Sequence, residues 1–254
     1  MSKTEVIRFL VLRTIGNFLV LFAVFGIVAT FGPALYYETA FRIAQARGIK
    51  YEIAQIPSKP AVIPTPVPGR PQATPTPASN AADATPVKSL GVDNFAQVLS
   101  GPKVQILTPV YTQFSIVIPK IGASAKVFAN VDPSKESEFL PILQKGVAHA
   151  RGTVFPGQKG NIYLFAHSTD NFWDLGRYNA VFYLLKDLVP GDEIVIFFQN
   201  KRYNYVVTGY KVVDPSDVSY IVNAQNQNSE TLILQTCWPP GTTWKRWLVF
   251  AKPK

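Results

Sequence analysis

With 254 residues the chain has room for one or two domains, and 25 Lys and Arg against 16 Asp and Glu give a net charge of +9. The excess is dispersed: residues 1–56 carry six basic and three acidic side chains, residues 57–103 four and two, and the remainder fifteen and eleven. No basic run interleaved with aromatics stands out, which argues against a nucleic-acid partner. One cysteine, Cys237, excludes an intramolecular disulfide. It leaves three readings: an intermolecular linker, a buried small apolar side chain, or a reactive thiol.

After a short tail, residues 1–14, the run from Ile15 to Tyr37 holds no charged residue and is long enough to cross a bilayer as one helix. A cleaved signal peptide is the competing reading, but its apolar core is shorter. Lys3, Arg8 and Arg13 precede the span and Arg42, Arg47 and Lys50 follow it, so the positive-inside count alone does not orient it. Residues 38–56 form a juxtamembrane segment. Within residues 57–103, the stretch 57–88 is rich in Pro, Ala and Thr without an aromatic residue. Such a composition cannot bury enough apolar surface to fold and favours an extended spacer. The expectation is a stalk that stands a domain off the membrane.

From Val104 to Lys254 the pattern is that of a folded unit of the commonest domain size. YTQFSIVIPKIGASAKVFANV gives two short strands broken at Pro119 and Gly122. Asp132-Pro133 reads as a helix start, with Phe139, Leu140, Ile142 and Leu143 as its apolar face and Pro141 limiting it. Strand NIYLFAH ends at His167, and a polar cluster, Ser168, Thr169, Asp170 and Asn171, follows. A short helix over Val181 to Leu188 and two strands meeting around Asn200 and Lys201 come next. Two final strands, TLILQTC and RWLVFA, flank a turn-rich loop with Pro239, Pro240 and Gly241. Six or more short strands with brief helices predict a mainly β domain, closed or nearly closed as a barrel.

Two histidines are available. His149 lies in a Gly- and Ala-rich stretch that reads as a loop, and its reading is structural. His167 and Cys237 each terminate an apolar strand, and Arg246 begins the strand after Cys237. If the last two strands pair as a hairpin, and the His167 strand runs parallel beside them, thiol, imidazole and guanidinium emerge at one rim of the sheet. A thiol beside an imidazole is the minimum for covalent nucleophilic catalysis, and an arginine there is suited to an oxyanion.

TLILQTC followed by RWLVFA resembles the TLxTC signature and arginine strand of the sortases, the membrane-anchored cysteine transpeptidases of the bacterial surface. GVAHARGTVFPGQKGNIYLFAHSTD is similar to that family's segment around its histidine, and the resemblance covers Phe114 to Ala251. It implies a closed eight-stranded β-barrel with short helices, preceded by one transmembrane helix with its N terminus inside. It also implies a site of His167, Cys237 and Arg246; no cofactor is expected, and no metal either, because no cluster of acidic residues matches the calcium site that some members of the family have. The implied reaction cleaves an LPXTG-like sorting signal and passes the thioacyl intermediate to an amine from a cell-wall peptide or a pilin lysine. The implied partners are surface proteins bearing C-terminal sorting signals, the amine acceptor and the membrane, with no nucleic acid. The compact domain leans toward the class D and E groups, and substrate contacts are expected on the segment from Val213 to Glu230. The alternatives are a membrane-tethered non-enzymatic β domain for surface adhesion, or another cysteine peptidase or transpeptidase.

Overall fold

The computed structural model describes residues 3–54, 103–168 and 181–254. The Pro-rich segment expected as a stalk, and Thr169, Asp170 and Asn171 of the polar cluster, lie outside the described residues.

Eight strands close into a barrel: β3 (Phe114–Ile118), β4 (Ala123–Val131), β5 (Val147–Ala150), β6 (Gly160–Phe165), β7 (Glu193–Phe198), β8 (Lys201–Val213), β9 (Glu230–Trp238) and β10 (Lys245–Pro253). Around the barrel the order is β10, β8, β7, β3, β4, β5, β6, β9. Two neighbouring pairs, β4 with β5 and β6 with β9, run parallel, and the others antiparallel. The break at Pro119 and Gly122 is a 3-10 turn ending on Gly122 at φ 63°. A β-carbon there would also lie 2.9 Å from the Tyr51 ring, so the position favours glycine twice over. Gln199 and Asn200 have φ of 50° and 60°, the pair of positive values that lets a two-residue turn follow the twist of its strands.

Alternation along each strand divides the apolar residues between two faces. The inner face carries Ile116, Ile162, Leu164, Ile194, Val207, Leu232, Leu234 and Val249, packed as one core. The outer face carries Tyr163, Phe165, Ile233 and Leu248, which form a second cluster with Leu143 and Ala148. That cluster is capped by α2 (Glu136–Leu143) and by the segment from β8 to β9, which contains α3 (Ser219–Val222). A further outer patch of Val117, Val195 and Phe197 is covered by Leu107, Tyr51 and Ile53. These covering residues belong to β1 (Lys50–Ile53) and β2 (Val104–Leu107), which pair in parallel outside the barrel.

The structure differs from several sequence expectations. Asp132 does not cap α2: its Oδ1 accepts from the backbone N–H and hydroxyl of Ser134, and the helix begins only after Lys135. Residues 181–188 hold a 3-10 helix, Tyr183–Asp187. His149 is on strand β5 rather than in a loop. The N-terminal helix α1 runs from Lys3 to Ala46, past the end of the charge-free run, because Ala40, Phe41 and Ala44 are buried against the barrel. Within it, Lys3–Val28 is long and apolar enough to cross a membrane, which makes it a candidate anchor.

Candidate functional site

Strand register assembles the site. In the β9–β10 hairpin Cys237 stands directly opposite Arg246. In the parallel β6–β9 pair Phe165 is opposite Gln235, so two residues further on His167 and Cys237 reach the same level. The ladder holds almost that far: the Ala166 N–H donates to the Gln235 carbonyl at 3.1 Å, and the Thr236 hydroxyl donates to the Ala166 carbonyl at 3.1 Å. Strand β6 therefore ends at Phe165, two residues before the expected point, while β9 continues to Trp238.

Because Leu164 on β6 and Ala166 just after it, Leu232 and Leu234 on β9, and Trp247 and Val249 on β10 face inward, His167, Cys237 and Arg246 fall on the outer face. The three meet on the outer wall, near the strand ends. There they line one cavity of about 280 Å³ with α2 and the β8–β9 segment. Phe139, Leu140 and Leu143 of α2 supply one apolar side, and Pro215, Val218 and Ile221 the other. Glu136 and Asp217 add carboxylates at the same cavity. Asp217 also fixes the start of α3, accepting from the backbone N–H of Ser219 at 3.2 Å.

The electrostatics of the thiol follow from its position. Burial pushes the Cys237 pKa above the ordinary thiol value, and the Arg246 guanidinium only partly offsets this. The thiol therefore keeps its proton at neutral pH until a base takes it. Arg246 is held by its Nη1, which donates to the carbonyls of Thr243 at 3.0 Å and Lys245 at 3.2 Å. Below the site the Tyr163 hydroxyl donates to Gln235 Oε1 at 3.3 Å. Burial holds that phenol well above its usual pKa, so it remains a donor.

The structure thus brings together all three residues singled out from the sequence. It also adds Tyr163, Phe165 and Gln235 to the lining. Strand parity was the signal for these: Gln235 is two positions before Cys237, and Phe165 and Tyr163 are two and four before His167. Pro215, Asp217, Val218 and Ile221 fall in the segment expected to contact substrate, which carried no motif to single them out. His149 takes no part. It is fully buried on the inner face, its ring 4.5 Å from that of Phe155, with Nε2 donating to the Val154 carbonyl at 3.0 Å. The Asn130 N–H donates to its Nδ1 at 3.3 Å. Among the described residues no group of three or more His, Cys, Asp or Glu side chains is placed to hold a metal ion.

Comparison with known proteins gives matches in the same part of the chain. A family model described as the Sortase domain matches residues 116–254. Sortase D of Bacillus subtilis (strain 168) is 29% identical over 138 residues, covering 53% of this chain and 60% of that protein. The match thus spans less than two thirds of that curated relative. Among solved structures, a Clostridium perfringens Sortase D5 transpeptidase is 26% identical, covering 56% of this chain and 79% of that one, with a TM-score of 0.45. Sortase A from Corynebacterium diphtheriae is 27% identical, covering 57% and 61%, with a TM-score of 0.47.

Proposed function

The chain belongs to the sortase family, and from that premise we propose that it is a class D-like cysteine transpeptidase held in the bacterial membrane by α1, its barrel outside. The observation that carries the reading is the register of β6, β9 and β10. It sets the only thiol of the chain opposite an arginine and level with a histidine, in one partly apolar cavity.

The proposed substrates are surface proteins with a C-terminal LPXTG-like sorting signal. Apolar residues of the signal pack against Phe139, Leu140, Val218 and Ile221, which brings the scissile carbonyl over Cys237. The Cys237 proton passes to His167 as sulfur attacks that carbonyl. The tetrahedral oxyanion is stabilised by Arg246, a preorganised cation in a partly dry site. The carbon–nitrogen bond then breaks and His167 gives the proton to the leaving amine, which leaves a thioacyl enzyme. In the second half an amine, from a cell-wall peptide or a pilin lysine, attacks the thioester. His167 removes its proton and returns it to the departing sulfur, so each half-reaction balances.

The test uses the full chain in detergent, because residues before 54 pack on the barrel. It is incubated with a library of sorting-signal peptides and an amine donor and read by mass spectrometry. The expected products are an acyl adduct on Cys237 and a peptide joined to the donor amine. Intact peptides beside a folded protein with an alkylatable Cys237 would reject the assignment.

A further inference from the structure

Helix α1 is at once the candidate anchor and a part of the folded body. Its charge-free run ends at Tyr37, and the next turns are already docked. The Lys186 Nζ donates to Glu38 Oε2 at 2.7 Å, and Phe41 is a member of the inner core cluster, with Tyr36 packed against it. At roughly 1.5 Å rise per residue, Tyr37 and Phe41 are about 6 Å apart along the axis. From the candidate span Lys3–Val28 onward the connection is continuous helix, and with the whole charge-free run taken as the membrane segment this short rise leaves no room for a spacer between lipid and barrel. Nor does the Pro-rich segment supply one, since β1 before it pairs with β2 after it, so both of its ends belong to one body.

The docked end of the barrel is the end with the cavity. The Tyr183–Asp187 helix that holds α1 through Lys186 also packs on β9 and β10, the strands that carry Cys237 and Arg246. At this end β8 outruns β7, whose first residue, Glu193, pairs with Val206. The inner face of β8 beyond that point is open: Tyr210 is 59% exposed and Val212 41%. Tyr210 stacks on Trp247 at 4.5 Å, Trp238 lies 4.9 Å from Trp247, and Trp244 in the adjoining turn is 73% exposed. Amphipathic aromatic rings of this kind are favoured at the headgroup level of a bilayer.

We propose that the ledge of Tyr210, Val212 and Trp244 rests in the headgroup layer of the bilayer that α1 spans, so that the cavity opens at the lipid surface. The proposal rests on α1 being a membrane span, and it replaces a barrel on a long stalk with a barrel seated on the membrane. It gives the ledge a partner, the lipid interface. It also limits the cavity to sorting signals presented within a few residues of the membrane.

The full chain is reconstituted in phosphatidylcholine and phosphatidylglycerol vesicles whose acyl chains carry bromine at shallow positions, and tryptophan emission is compared with that in unbrominated vesicles. Emission of the parent protein is expected to be quenched, with the quenched share at least twofold smaller in Trp244→Phe. Val212→Trp in the Trp244→Phe background is expected to restore it. Flotation with the vesicles and a cooperative thermal transition verify insertion and folding of each variant. If the protein floats but parent and Trp244→Phe are quenched alike, the ledge does not touch lipid and the proposal is overturned, while the anchor reading survives. Failure to float overturns both.

Discussion

Strands β5, β6, β9 and β10 make one wall with two unlike faces, and each face holds one of the two histidines. On the inner face His149 is sealed among Phe114, Phe155 and the backbone of Val154. On the outer face His167 shares a cavity with Cys237 and Arg246. The β5 and β6 residues around them pair directly, His149 with Leu164 and Ala148 with Phe165, so the two environments are separated by one sheet thickness. The lesson is that parity along a strand, more than residue type, decides what an imidazole is for. The inward position buries it and satisfies both nitrogens within the fold, whereas the outward one places it at the cavity that Cys237 also lines.

Substitutions on the two faces should therefore fail in different ways. The largest effect is expected for Cys237→Ala, which should abolish turnover and thioacyl trapping with a stability change of about 1 kcal/mol or less. His167→Ala should lower kcat/KM by roughly 10²–10⁴ as a lost acid and base. Arg246→Ala should lower it by roughly 10²–10³ as a lost oxyanion donor. His149→Ala should do the reverse, lowering unfolding free energy by about 2–4 kcal/mol through a cavity and unpaired polar groups, with near-normal turnover per folded molecule. Urea unfolding and peptide cleavage measured on the same preparations read both quantities. A folded but inactive His149→Ala, or a His167→Ala that chiefly loses stability, would break the comparison.

An intermediate effect concerns the thiol. With burial holding its pKa up against the pull of Arg246, alkylation of Cys237 by iodoacetamide at pH 7 should be slower than that of the urea-unfolded chain. Its rate should rise about tenfold per pH unit below the thiol pKa, as the thiolate fraction does. Arg246→Ala removes a favourable charge and should slow the reaction further at every pH in that range. Faster alkylation in Arg246→Ala would mean that the arginine shields the thiol more than it acidifies it.

Much of the outer face was legible in the sequence, because it depends on local signals. Each candidate site residue ends or begins an apolar run, and the turn chemistry at Pro239, Pro240 and Gly241 makes the last two strands neighbours. Which face the residues occupy was not legible, since it depends on the packing of Leu164, Leu234 and Val249 inside a closed barrel. The second wall of the cavity depends on tertiary contact too: Val218 and Ile221 carry no motif, and their role exists only because α3 lies over β6. The end of α1 shows the same limit. Hydropathy registers the uniform run to Tyr37, whereas the docked stripe of Ala40, Phe41 and Ala44 in ETAFRIAQA is only two turns long and too brief to stand out as amphipathic. Likewise KYEI of β1 offers two apolar residues, and only its partner β2, far along the chain, makes it a strand.

The smallest expected effect probes the inner face by pH. Burial holds the His149 pKa below the ordinary imidazole value, against the opposing hydrogen bond to the Val154 carbonyl. In the unfolded chain the ring titrates near about 6.5, so below that pH the unfolded state binds a proton that the folded state refuses. Stability is then complete above that value and is lost as pH falls toward the lower folded pKa, by no more than about 1.4 kcal/mol per pH unit. The carboxylates of Asp132 and Asp217, whose pKa values are lowered by hydrogen bonds from Ser134 and Ser219, lose their contribution only in the carboxylate range, below about pH 4. Urea midpoints taken from pH 7 to 5 avoid the carboxylate range, and comparison with His149→Gln separates the His149 ring from His167. They should decline in the parent protein and decline less in His149→Gln, which cannot titrate. A parent midpoint that stays flat across that window would mean that the inner imidazole accepts a proton as readily as an exposed one, and the two faces would no longer differ in the way the strand register requires.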